Sequence, residues 1–156
     1  MFTKIQIQEA VFDVGEESTW LRASSRQVGG IATFLGVVRD INEEASVSGL
    51  YLEHYPGMTE SQIEKIIDQA GERWDVIAVT VIHRIGQLSP DDEIVFVGVG
   101  STHRGDAFAA CEFIMDFLKT EATFWKKEQT SGGTRWLTTR HADVKATERW
   151  QAAKKD

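Results

Sequence analysis

The stretch from His103 to Glu128 constrains the chain most, because it commits a long segment to a half-buried helix followed by an extended strand. Ala107, Cys111, Ile114 and Leu118 recur at helical spacing, with Phe108 and Met115 beside them, so one stripe of the helix must be covered. Ser101 and Thr102 precede it as candidate N-caps, and Asp106 suits the positive first turn. His103 and Arg104 therefore stand at a helix N-terminus, where free backbone N–H groups favour anions. Lys119 falls near the other end, and Lys126 follows on the extended run Phe124-Trp125-Lys126-Lys127-Glu128.

The flanking segments read as a single domain over residues 1–156. Thr3 to Gln8 alternates as a short strand. Gly15 to Ser25 is a helix with Trp20 and Leu21 inward. Val28 to Val38 is an apolar, glycine-containing strand with close backbone contacts. Asp40 to Ser48 is polar and acidic and reads as a mobile surface loop. Gly49 to Tyr55 returns as a strand, and Pro56-Gly57 turns the chain. Thr59-Glu60-Ser61-Gln62 has the form of a capping box, with Met58 and Ile63 as a hydrophobic staple, ahead of a helix with Ile63, Ile66, Ile67, Ala70 and Trp74 on its apolar face. Val76 to Ile85 and Ile94 to Val99 are strands joined by a turn-rich segment, Gly86 to Asp92. After the central helix, Ala122 to Gln129 is extended, Thr130 to Thr134 turns, Arg135 to Thr139 is a strand, and Ala142 to Lys154 is a helix anchored by Trp150. Strands and helices alternate irregularly, which makes the class α+β.

Composition removes several functional classes. A net charge of −7 argues against general nucleic-acid binding, so any anion site must be a local basic pocket in an acidic surface. Nothing approaches the ~20 consecutive apolar residues that cross a bilayer, and no signal peptide opens the chain. The single cysteine makes no internal disulfide and fits a reducing, cytoplasmic compartment. Four histidines and one cysteine lack ligand spacing, so neither metal nor cofactor is expected.

Among candidate residues, Arg104 offers a planar fork for phosphate or carboxylate. His83-Arg84 is the same dipeptide within a strand, where alternation puts the side chains on opposite faces, and it reads as structural. A lysine at a helix end is ordinarily a solvated partner for the dipole. Lys119, however, follows a wholly apolar stripe and precedes Phe124-Trp125, and partial desolvation would lower its pKa and suit it to proton transfer or to a transient covalent bond. Arg39 ends a strand. Cys111 lies on the apolar face of its helix, where a thiol is inert packing.

Phe34-Leu35-Gly36-Val37-Val38-Arg39, Leu52-Glu53-His54-Tyr55-Pro56-Gly57-Met58, His83-Arg84-Ile85-Gly86 and the 103–128 stretch, taken in order and spacing, resemble the large, catalytic subunit of molybdopterin synthase. The similarity runs from about Phe34 to Trp136. It implies an α/β-hammerhead-type fold with an additional small antiparallel sheet. It further implies that a small ubiquitin-like subunit, bearing a C-terminal Gly-Gly thiocarboxylate, supplies sulfur to cyclic pyranopterin monophosphate and forms the dithiolene of molybdopterin. By resemblance Lys119 is the main catalytic residue and Lys126 supports it. Val37, Val38, Arg39, His103, Arg104, Lys127, Glu128 and Arg140 fall to substrate binding, with Val37 and Val38 contributing mostly backbone, while Phe34 and Met115 form pocket wall. Three departures stand out: Thr123 where proline is common, Pro90-Asp91-Asp92 for Pro-Gly-Asp, and Val37 where a polar or basic residue is frequent.

His103 and Lys119 are sixteen residues apart on one helix, roughly 24 Å at ~1.5 Å per residue. One small substrate cannot span them within a chain, so a homodimer is expected whose pockets combine Lys119 and Lys126 of one subunit with His103 and Arg104 of the other, Arg140 crossing over with them, and with the small subunit a heterotetramer. Two rival readings are a phosphate-ester enzyme built on the His-Arg pair and a non-catalytic dimeric scaffold for a ubiquitin-like protein.

Overall fold

The computed structural model describes residues 1–42, 45–137 and 140–152. Its body is a four-stranded sheet in the order β1-β5-β7-β2, formed by β1 (Phe2–Gln8), β2 (Gly30–Val37), β5 (Val76–Arg84) and β7 (Glu93–Ser101). β1 pairs parallel with β5, and the other two pairings are antiparallel. The central strands β5 and β7 are buried along nearly their whole length, which is why they read as unbroken apolar runs. Helix α1 (Val14–Ala23) covers one face, and Leu21 fits against Gly98, where a Cβ would lie 2.4 Å from the Leu21 Cδ1. Helices α2 (Met58–Arg73) and α3 (Arg104–Leu118) cover the other, with Ile63, Ile66, Ile67, Phe113 and Ile114 packed on Val79, Val81, Val97 and Val99. Helix α4 (His141–Ala152) closes this layer through Trp150, whose ring meets Trp74 and Phe113 edge-on.

A second, antiparallel sheet has the order β3-β4-β8-β9, with β6 (Gly86–Leu88) paired to β4 (Ala45–His54). Its other strands are β3 (Ile41–Asn42), β8 (Phe124–Thr130) and β9 (Gly133–Leu137). This is the expected α+β, hammerhead-type arrangement with its additional small sheet.

Several local expectations are corrected. The segment read as a surface loop carries β3, paired with β4 from Ala45 onward, and Asn42 is buried; residues 43–44 lie outside the described residues. Its polar composition hid a strand because the buried residue is itself polar. β6 lies within the segment read as turns and ends on Leu88, which is fully buried. The cap of α2 sits two residues earlier than the sequence suggested. Gly57, at φ 86°, is the N-cap and its N–H donates to Glu60 Oε2 at 2.6 Å. Thr59, by contrast, is buried: its hydroxyl accepts from Tyr55 N–H and donates to Thr123 O, while Met58 is exposed rather than stapled to Ile63. At α3 neither Ser101 nor Thr102 caps; His103 is the N-cap, without a side-chain cap bond. β9 starts at Gly133 rather than Arg135, and the expected strand end at 138–139 and the helix residues 153–154 lie outside the described residues.

Candidate functional site

Where the C-terminal end of α3 meets the inner face of the second sheet there is a cleft of about 1040 Å³. Strand register decides which side chains enter it. β4 and β8 pair Leu52 with Lys126 and Leu50 with Glu128, and β8 and β9 pair Lys126 with Leu137 and Glu128 with Arg135. Paired residues share a face, so Lys126, Glu128 and Arg135 all face inward. Lys127 alternates to the outer face, where its ammonium lies 5.6 Å from the Trp136 ring centroid. It does not line the cleft of its own chain.

Lys119 arrives from the other side. The buried face of α3 from Ala107 to Leu118 is fixed against β2 and β7, and the helix ends with Lys119 at the cleft. Lys119 retains solvent-accessible surface, yet its ammonium is desolvated by the surrounding walls. Its pKa is lowered, first by that desolvation and then by the Arg140 and Arg39 guanidiniums, with Asp143 opposing. Lys126 is lowered to about 8, by desolvation first and by Lys119 second. The Lys119 ammonium thus weakens the hold of Lys126 on its proton. Each releases a proton more readily than a surface lysine.

The remaining charges form a network across four segments. Glu128, only 3% exposed, accepts from Arg135 Nε at 3.0 Å and Nη2 at 2.7 Å through Oε1, and from Asn42 Nδ2 at 2.7 Å through Oε2. The Asn42 Oδ1 accepts from Arg39 Nη2 at 3.2 Å and from Arg140 Nη2. Arg135 Nη2 also donates to the Asn42 carbonyl at 3.1 Å. Phe34, Val37 and Met115 line the cleft, and so does Arg140 of the same chain, which corrects its expected crossing from the other subunit. Val38 lines it too, but its N–H donates to Asp92 O and its carbonyl accepts from Asp91 N–H, so its backbone is committed to the fold rather than offered to a ligand.

His103 and Arg104 are exposed and do not line this cleft. The acids on α3 point away from it: Glu112 and Asp116 pair with Arg149 of α4. Cys111 is buried beneath Val97 O, and burial pushes its thiol up to about 12, so the thiolate is inaccessible.

Sequence reasoning missed three cleft residues. His83, read as structural, stacks on Phe124 with ring centroids 4.0 Å apart and lines the cleft. Its Nδ1–H donates to Arg84 O at 2.8 Å, which leaves the lone pair on Nε2. Burial, then the Lys126 charge, lowers its pKa to about 3, so the ring is neutral. The signal was present, since alternation along β5 puts His83 on the face of Val79 and Val81. Arg84 is structural, with its guanidinium on the carbonyls of Glu9 and Glu93. For Asn42 and Arg135 there was no signal, because both depend on pairings between distant segments.

The cleft thus gathers a desolvated lysine pair and three arginines, while the chain's one thiol is buried away from it. The MoaE protein family model matches residues 7–121. A molybdopterin synthase catalytic subunit from Ralstonia nicotianae is 58% identical over 94% of this chain and 83% of that protein. The Escherichia coli protein of the same name is 54% identical over 95% of this chain and 98% of its own. The solved structure of the molybdopterin biosynthesis MoaE protein from Burkholderia ambifaria superposes with a TM-score of 0.83 at 50% identity, covering 96% of this chain and 99% of that one. With a family model spanning most of the chain and relatives above half identity, the chain belongs to the MoaE family of molybdopterin synthase catalytic subunits.

Proposed function

We propose that this cleft transfers sulfur from the C-terminal thiocarboxylate of a small ubiquitin-like carrier subunit to cyclic pyranopterin monophosphate, building the dithiolene of molybdopterin. The observation that carries this reading is the convergence of Lys119 and Lys126, both desolvated and both facing the same cleft as Arg39 and Arg140. Donor tail and substrate are both anions, and a walled cleft with an excess of cations holds two negative groups together. Lys119 and Lys126 take the thiocarboxylate and stabilise or protonate the oxygen on which charge develops. Arg39 and Arg140 take the phosphate and the pterin, while Phe34 and Met115 supply apolar wall. The partner brings the nucleophilic sulfur, and this chain brings position and charge.

His103 and Arg104 enter the reaction from a second copy of the chain. Three features support this: their absence from their own cleft, the length of α3, and exposed apolar residues on the edge strand β2 (Phe34, Leu35, Val37) and on the first turns of α3 (Phe108). The assembly is then a homodimer with a small subunit at each end, a heterotetramer. The whole chain acts as one domain in the cytoplasm; among the described residues no helix is long and apolar enough to cross a membrane. Reconstitution of the purified chain with a thiocarboxylated carrier and cyclic pyranopterin monophosphate tests the reading. Dithiolene product is expected, and its absence with both partners intact refutes it. Product formed from a phosphoester with no carrier present would favour the phosphate-ester alternative instead.

A further inference from the structure

We propose that Asn42 is a positioning residue that holds Arg39 and Arg140 together as one anion clamp and keeps both of their charges available. The inference rests on reading the cleft as an anion site and goes further, by assigning the residue that organises it. Asn42 is 5% exposed, and its side chain links the Arg39 and Arg140 guanidiniums to the Glu128–Arg135 pair. Its amide oxygen has two lone pairs and gives one to each guanidinium. Its amide N–H is donated to Glu128, 86 residues away in sequence, whose other oxygen is already held by Arg135.

The chemistry of the linker matters. A carboxylate at this position would orient the two arginines equally well but neutralise them, and it would lie against the Glu128 carboxylate. The amide orients without neutralising. It also stands between Glu128 and the two arginines, so the buried carboxylate spends its charge on Arg135. Among the described residues neither Arg39 nor Arg140 has a carboxylate within ion-pair distance, and both line the cleft. Two forks with unspent charge, fixed by one shared acceptor, suit a ligand with several anionic oxygens such as a phosphate monoester. Arg39 follows β2 and Arg140 precedes α4, so the shared Asn42 acceptor joins two segments far apart in sequence.

The test uses the full-length chain, with inorganic phosphate as probe and the reconstituted transfer reaction as a second readout. In Asn42→Ala and Asn42→Ser, calorimetric phosphate affinity is expected to fall by about tenfold, near 1.4 kcal/mol. The KM for the pterin substrate should rise by a similar factor while kcat stays within about twofold. In an Arg39→Ala/Arg140→Ala background, Asn42→Ala should have no further effect on phosphate, because Asn42 acts through those arginines. Phosphate should also protect Arg39 and Arg140 together from phenylglyoxal in the unaltered protein, a measurement that needs no variant to fold. Wild-type phosphate affinity in a folded Asn42 variant, an equal loss in the double-arginine background, or protection of neither or only one arginine overturns the proposal. An unaltered chain that binds phosphate through Arg39 and Arg140 but transfers no sulfur refutes the proposed reaction and leaves this inference standing.

Discussion

At the scale of single residues, the site works by withholding water from cations. Lys126 at about 8 and a lowered Lys119 share one cause, walls that desolvate ammonium groups already close to one another. His83 belongs to the same economy: it presents a lone pair beside Lys126 without adding positive charge. Its titration makes a stability prediction with a definite sign. The folded ring has a pKa of about 3 and an unfolded histidine about 6.5, so between these values the unfolded chain binds the extra proton. Stability supplied by the neutral ring is complete above about pH 6.5 and is lost as pH falls toward about 3. His83→Phe, which keeps the stack on Phe124, should show a shallower loss of urea-unfolding free energy over that window than the unaltered chain. Parallel curves would mean that His83 is solvated or already charged in the fold. Thr59 offers a second check, since its buried hydroxyl bridges Tyr55 N–H and Thr123 O. Thr59→Val leaves both groups unpartnered, and urea denaturation should show a cost of about 1–3 kcal/mol.

At the scale of elements, the sequence was most legible where burial is continuous. β5, β7 and α3 carry unbroken apolar runs or a clean helical stripe, and the structure places them where those patterns point. It was least legible where a polar residue is buried by a distant partner. Asn42 looks like loop until Glu128 and Arg140 are brought to it, and no local rule registers that. The α2 cap was misplaced by two residues because Thr59 has the right chemistry for a cap but is used to tie β4 to the start of β8. Lys127, assigned to substrate binding by resemblance, stands on the face opposite Lys126, because adjacent residues of a strand alternate. The β6–β7 turn carries another readable feature. Asp91 has φ 73°, a left-handed conformation that glycine adopts without a Cβ penalty. Asp91→Gly, which restores Pro-Gly-Asp, should raise the stability by up to about 1 kcal/mol and leave transfer activity unchanged. Thermal unfolding checks the first part, and a lower Tm would show that the Asp91 side chain supports the turn.

At the scale of the whole molecule, the fold sends the two ends of α3 to different places: Lys119 into its own cleft, and His103 with Arg104 onto the exposed surface. In the proposed dimer each subunit completes the other's site. Mixing Lys119→Ala and Arg104→Ala chains should then restore about a quarter of the native activity, on the assumption of random pairing, in which about half the dimers are hybrids and each carries one intact site. No recovery from inactive parents, with hybrid dimers verified by mass spectrometry, would show that each subunit works alone. The central claim is simpler: this chain contributes charge, and its partner contributes sulfur. Single-turnover transfer from a thiocarboxylated carrier, compared across the unaltered chain, Cys111→Ser and Lys119→Ala, tests it most directly. Cys111→Ser is expected to transfer at the native rate, and Lys119→Ala to fall by about 10²–10⁴-fold while still binding the carrier. Loss of transfer in a folded Cys111→Ser, or native transfer in Lys119→Ala, would contradict the account.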